Sequence, residues 1–311
     1  MMRKFFLFVL AKIFGRTSPH YGHGRILKKY LRFPRFLPLN AQIQHGWYGD
    51  SIIDLDAIDR VTIMLVWSKR MAEEWKRYSR KPVYVLGSPF AHYRRLHRVE
   101  RQPDARGTVV FPDHSTPNTK EVHDVDAYCR QLSALPEPLK PITVCLHYRD
   151  VDSYGPLFEK YGYQVVTAGH GRQGGDGFVK RFYEILSRHR YSCSNEIGSY
   201  TFYAIDMGIP FFLYGPESKT VMRSDQAVLE KEPFRQRIRD TFRNVSSEVP
   251  QDQISFVQDE LGIHDCIKPS ELRRILLRRF FFHELPMYPI RLFLFPLAAM
   301  KAFRNRRRSM L

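Results

Sequence analysis

The stretch from Tyr191 to Gly215 constrains the fold most: a strand end, a small polar turn, a short helix and a second strand, in that order. Ser192, Ser194, Asn195, Gly198 and Ser199 crowd the turn with hydroxyls, an amide and a residue lacking Cβ. Ser199 or Asn195 is placed to cap the helix that follows. That helix carries Phe202, Ala204 and Ile205 inward and stops at Gly208. Ile209 to Tyr214 then reads as a buried strand bounded by Gly215-Pro216. Free N–H groups at such a helix start favour an anion, and Gly198 lets a phosphate approach closely. Small polar residues also suit any tight turn, so the stretch alone leaves both readings open.

The same alternation recurs along the chain. Ala41 to Trp47, Val61 to Trp67 and Val83 to Leu86 read as strands, the second followed by Ser68 and a helix to about Tyr78. Residues 94–107 are Arg-rich, with Pro103 and Gly107, and read as a linker. The pattern restarts with strands at Gly107–Pro112, Ile142–Leu146 and Tyr163–Ala168, and with helices at Glu121–Leu132 and about Gly177–Leu186. Residues 223–259 read as charged and mostly helical or irregular, and Glu271–Phe282 as a helix. Strands alternating with helices imply parallel sheets. The expected fold class is therefore α/β with two Rossmann-like domains, the first abbreviated, at 36–93 and 105–270. A basic apolar segment (1–35) precedes them, and a return helix with a basic apolar tail (271–311) follows.

The net charge of +17 is concentrated at the ends. Residues 1–35 hold nine Lys/Arg and no acid; residues 273–311 hold ten and one acid, Glu284. The chain has 49 basic and 32 acidic residues, which leaves 30 and 31 for residues 36–272. A nucleic-acid binder usually spreads its basic face over the folded body, so that class is disfavoured. Basic ends on a neutral body point to an anionic membrane surface. Phe5 to Leu10 and Leu292 to Met300 are too short to span a bilayer and read as interfacial. Cys129, Cys145, Cys193 and Cys266 form no Cys-x-x-Cys pair and read as reduced thiols of a cytoplasmic protein.

His45, His114, His147 and His170 each follow an apolar run directly. In open parallel sheets ligands bind at the carboxyl ends of strands, so four imidazoles are expected along one edge. A hydrogen-bonded structural role is the expectation for His147 and His170. His45 and His114 each open a polar, turn-rich loop and are the candidates for acid–base work. No helical His-x-x-x-His pair is present, so no metal site is expected. Asp54-Leu55-Asp56 is read as a solvated helix start. Walker and Gly-x-Ser-x-Gly sequences are absent.

Gln44-His45-Gly46-Trp47, Val66-Trp67-Ser68 and Val85-Leu86-Gly87-Ser88-Pro89 resemble, in that order, bacterial CDP-glycerol glycerophosphotransferases and capsule polysaccharide transferases of GT-B type. Phe111 to Ser115, Ser194 to Ser199 and Phe202 to Pro210 resemble their donor domain. The likeness covers about 41–90 and 107–216; the Glu-x7-Glu spacing of some donor sites is missing. The resemblance implies a glycosyltransferase that moves a sugar from a nucleotide-sugar to a lipid-linked or surface-polysaccharide acceptor, without a cofactor. It would act on the cytoplasmic side, peripheral to the inner membrane, with its final helix crossing back onto the first domain. His45 and His114 would be catalytic. Ser115, Ser194, Asn195, Gly198 and Ser199 would hold the donor phosphates, and Glu217 the ribose. The same resemblance permits transfer of glycerol phosphate from CDP-glycerol. The other alternative is a non-catalytic membrane-surface scaffold on a transferase-like fold.

Overall fold

The computed structural model describes residues 20–49, 62–171, 176–230 and 233–290. Asp54-Leu55-Asp56 and the apolar runs at Phe5–Leu10 and Leu292–Met300 lie outside them. Two parallel sheets organise the described residues. The smaller comprises β1 (Gln42–Ile43), β2 (Met64–Val66) and β3 (Val83–Val85), in the order β1-β2-β3. Its helices are α1 (His23–Tyr30), α2 (Lys69–Tyr78) and α3 (Pro89–His97). Alternation along β2 covers both faces, as a parallel sheet requires. Met64 and Val66 meet Met71 and Trp75 of α2. Leu65 points the other way, to Leu27 of α1 and Leu31 just after it. Ser68 starts α2 by accepting the Met71 N–H on its hydroxyl at 3.4 Å.

The larger sheet holds β4 (Thr108–Val110), β6 (Ile142–Cys145), β7 (Gln164–Val166), β8 (Tyr191–Ser194) and β9 (Phe211–Leu213), all parallel, in the order β7-β6-β4-β8-β9. The chain thus leaves β4 in one direction and returns to its other side, the reversal that defines a ligand crevice in Rossmann-like sheets. Val110, Val144, Cys193 and Phe212 pack on α4 (Val125–Ser133) and α5 (Val151–Lys160) through Tyr128, Leu132 and Phe158. Val109, Phe111, Cys145 and Phe211 face α6 (Gly177–Leu186) and α7 (Ser199–Asp206) through Phe182, Tyr183 and Phe202. The fold is a mixed α/β structure with Rossmann-like topology in this sheet. All four cysteines are free thiols.

Two local expectations are corrected. The helix expected from Glu121 starts at Val125, because Asp124 caps it by accepting the Ala127 N–H at 2.8 Å. Thr119–Val122 instead form β5, paired antiparallel to β10 (Lys219–Met222), which also pairs with β11 (Val228–Leu229). Residues 94–97, expected in a linker, finish α3. Arg94 and Arg95 grip Asp206 of α7 at 2.7 and 3.1 Å, so the helix continues where a linker was expected.

After α8 (Pro233–Ile238), α9 (Gln251–Glu260) packs on α7 and α2, and α10 (Pro269–Arg279) closes over the smaller sheet. Leu272 and Leu276 of α10 join Ile43, Leu65 and Leu27 in one core cluster. Leu261 O accepts the Ser88 N–H, and Ile267 N–H donates to Val85 O, both at 2.9 Å. Gly262 makes this approach possible: its φ is +63°, and a Cβ there would stand 1.8 Å from Trp67 O.

Candidate functional site

The carboxyl ends of β4, β6 and β7 and the start of α7 open into one cavity of about 450 Å³. The loop after β1 and the segment before α1 form the opposite wall. The cavity therefore lies between the two parallel sheets, at the edge where the strand order reverses. Its volume is in the range of small-molecule sites, roughly 300–1,000 Å³.

All four strand-end histidines line it. His114 and His147 meet edge to face with ring centroids 4.5 Å apart. His147 was expected to be a hydrogen-bonded structural residue. Instead, its buried Nδ1 makes no hydrogen bond to any described residue. Burial pushes its pKa down to about 3, and His114, Arg149 and His170 add to that shift, so the ring is neutral near pH 7. Tyr148 stacks beside His170 with centroids 4.2 Å apart. Across the cavity His45 Nδ1 is 2.6 Å from the Tyr48 hydroxyl. If Nδ1–H donates to the phenol oxygen, Nε2 carries a base lone pair; if the phenol donates, Nε2–H is an acid. The loop that carries His45 is pinned where Trp47 N–H donates to Ser199 Oγ at 2.8 Å.

The polar turn divides into residues that reach the cavity and residues that build it. Gly198 and Ser199 line the cavity; Ser194 and Asn195 do not. Ser194 Oγ donates to Tyr200 OH and accepts the Glu196 N–H, both at 3.0 Å. Asn195 Oδ1 accepts the Asp113 N–H at 2.9 Å, and its amide donates to Pro216 O at 3.0 Å. Asn195 thereby ties the end of β8 to the end of β4. Neither Asn195 nor Ser199 caps α7, since both are engaged elsewhere. Gly198 is the N-cap residue, and Thr201 Oγ1 accepts its N–H at 3.3 Å. A Cβ on Gly198 would stand 2.6 Å from the Tyr200 ring, so a side chain there would have to displace that ring.

Ser115 lines the cavity and is locked in place: its N–H donates to Asp150 Oδ2 at 2.9 Å, and its hydroxyl accepts the Glu121 N–H at 3.1 Å. Glu217 is exposed and outside the lining, where it pairs with Arg239 at 3.2 Å. Arg239 also holds both oxygens of buried Glu196 at 3.1 Å.

Sequence reasoning missed the cavity's cations and phenols. Arg149 lies over the Tyr148 ring at 5.1 Å, and Arg235 over Trp47 at 5.4 Å. Both line the cavity. Arg149 had a readable signal, His-Tyr-Arg directly after β6. Arg235 comes from α8, in a charged stretch with no strand end to mark it. Two guanidinium groups near imidazoles and phenols suit an anionic, hydrogen-bonding ligand. Among the described residues, no group of three His, Cys, Asp or Glu is placed to hold a metal ion.

Fold and site together define an α/β protein whose cavity between two parallel sheets is lined by imidazoles, phenols and two guanidinium groups. No family model matches the chain, and no curated protein matches it. Among solved structures it is similar to a chain of the Glycosylation Associate Protein (Gap123) complex from Streptococcus agalactiae, at 13% identity and a TM-score of 0.34. The match covers 74% of this chain and 46% of the other, so this chain spans about half the length of that neighbour. A likeness at that level carries no functional argument, which rests on the cavity. No helix among the described residues is long and apolar enough to cross a membrane.

Proposed function

We propose that this chain is a GT-B-type glycosyltransferase, taking a nucleotide-sugar donor and a hydroxyl acceptor in the cavity between the sheets. The observation that carries the reading is the cavity's two-sided chemistry. One wall offers His45 with Tyr48; the other offers His114, Arg149 and the start of α7. The acceptor hydroxyl forms its bond to the anomeric carbon and gives its proton to His45. The bond from that carbon to the donor phosphate oxygen breaks, and the nucleoside diphosphate leaves with the electron pair. Arg149, Arg235 and the start of α7 all line the cavity, and would stabilise that negative charge. His114, beside neutral His147, faces the same region and would donate a hydrogen bond to the departing phosphate. The acceptor would be lipid-linked or a surface polysaccharide, handled at the cytoplasmic face of the inner membrane. The return of α10 onto the smaller sheet supports the GT-B reading.

A thermal-shift screen with UDP-, GDP- and CMP-sugars and CDP-glycerol tests this. Stabilisation by one nucleotide-sugar is the expected result. Stabilisation by CDP-glycerol alone would replace sugar transfer with glycerol-phosphate transfer. No shift with any donor would favour a non-catalytic scaffold.

A further inference from the structure

A second hollow, of about 910 Å³, lies along the flank of α1, apart from the cavity. Arg25, Lys28, Lys29, Arg32 and Arg35 line it, and Asp176 is the single acid among its lining residues. Arg25 stands three and four residues before Lys28 and Lys29 on α1, where like charges work against the helix, and Arg32 follows just beyond the helix end at φ +50°. Part of that cost is met internally. Lys29 Nζ and Arg25 Nη1 approach Asp176 at 3.1 and 3.8 Å, and Lys28 Nζ donates to Arg35 O at 2.9 Å. Lys28 and Lys29 also suit the negative end of the helix dipole. Arg32 and Arg35, both exposed, have no acidic partner among the described residues. Burial lowers the Lys28 pKa.

The next residue, Phe36, is 85% exposed. A bare aromatic ring beside a cationic hollow is the arrangement of an interfacial anchor, with the ring among acyl chains and the cations on phosphates. The sequence before α1 adds Arg3, Lys4, Lys12 and Arg16 and no acid. A single 3-10 turn, His20–Gly22, leads into α1, and its His20 and Tyr21 are in the cavity wall.

We propose that this hollow binds the phosphate headgroup of an acidic phospholipid and seats the α1 flank on a membrane surface, with Phe36 inserted beside it. This holds whether or not the cavity transfers a sugar, and its test uses no donor. Full-length protein is sedimented with vesicles of phosphatidylcholine alone and of phosphatidylcholine with phosphatidylglycerol. The variants are Arg32→Gln/Arg35→Gln and, as a control of equal charge, Arg101→Gln/Arg106→Gln on an exposed loop. Thermal melting checks that each variant is folded. Each cation near an acidic leaflet is worth roughly 5-fold in partitioning, so the first variant should lose on the order of 30-fold and the control far less. The wild-type binding should require phosphatidylglycerol and weaken with salt. Equal losses in both variants would reduce the effect to net charge and overturn the site. So would absence of vesicle binding, tighter binding to single-stranded RNA, or displacement from vesicles by inorganic pyrophosphate at low concentration, which would mark a free-anion site.

Discussion

Glu260 is the test of how the cavity wall is held. It is 5% exposed and lies on α9, 213 residues from Trp47. Its Oε2 accepts the Trp47 indole N–H at 2.6 Å, and its Oε1 accepts Arg70 Nε at 2.7 Å. Arg70 also grips Oε2 and donates to the carbonyls of Tyr48 and Gly49. One carboxylate therefore anchors both the indole and the backbone of the loop that carries His45. Glu260→Gln keeps the volume and removes the charge. Breaking a buried pair by removing one partner costs about 3–5 kcal/mol. The Arg70 side chain is 30% exposed, so water recovers part of this, and about 2–4 kcal/mol is expected. For a chain of this size that lowers Tm by roughly 4–8 °C, read by calorimetry or circular dichroism. Donor affinity should fall as well, because Trp47 forms part of the wall. Replacing both charges, Arg70→Met with Glu260→Leu, should recover only part of the loss: an apolar pair leaves no stranded cation, but it takes the acceptor from the Trp47 indole N–H and the Arg70 donor from the Tyr48 and Gly49 carbonyls. A Glu260→Gln protein that melts within a degree of wild type would refute this account of the wall.

Three other outcomes follow from the geometry. His45→Ala should lose on the order of 10²–10⁴ in turnover while keeping donor affinity; turnover within a few-fold of wild type would make His45 a wall residue only. Gly198→Ala should destabilise by about 1–3 kcal/mol in denaturant melts even without ligand, because the new Cβ meets the Tyr200 ring; an unchanged midpoint would mean that the ring yields. Burial lowers His23 to about 3 and His92 to about 4, so both are neutral in the folded chain and must gain a proton on unfolding in mild acid. Their stabilisation is full above the unfolded value of about 6.5 and is lost as pH falls toward 4 and 3, with a slope of up to roughly 1.4 kcal/mol per pH unit for each. His23 sits between the rings of Tyr21 and Phe90, so His23→Phe should flatten the acid limb of Tm against pH, and an unaltered limb would contradict the buried neutral state.

What could be read from sequence was whatever depends on neighbouring residues. Apolar runs that stop at Asp113, His147, His170 and Ser194 mark strand ends without any tertiary information, and strand ends are where a parallel sheet places its ligands. That is why His45 and His114 share the cavity with Ser115 and Ser199. What could not be read depends on partners far away. Thr119–Val122 is polar enough to pass for helix, and becomes a strand only because Lys219–Met222 pairs with it. Ser194 and Asn195 have phosphate-binding chemistry, but Tyr200, Asp113 and Pro216 use it up. Glu217 follows a strand as a ribose-binding acid would, yet it turns to Arg239. Arg235 and Glu260 act on the site from helices that carry no local mark of function.

The central claim is that the cavity between the sheets takes a nucleotide-sugar. Amide hydrogen exchange, measured with and without the stabilising donor, tests it directly. The account predicts protection concentrated in residues 111–117, 145–149, 167–171 and 198–200, with a matching change at 45–48 on the facing wall. Protection confined to other surfaces, or none at saturating donor, would contradict it.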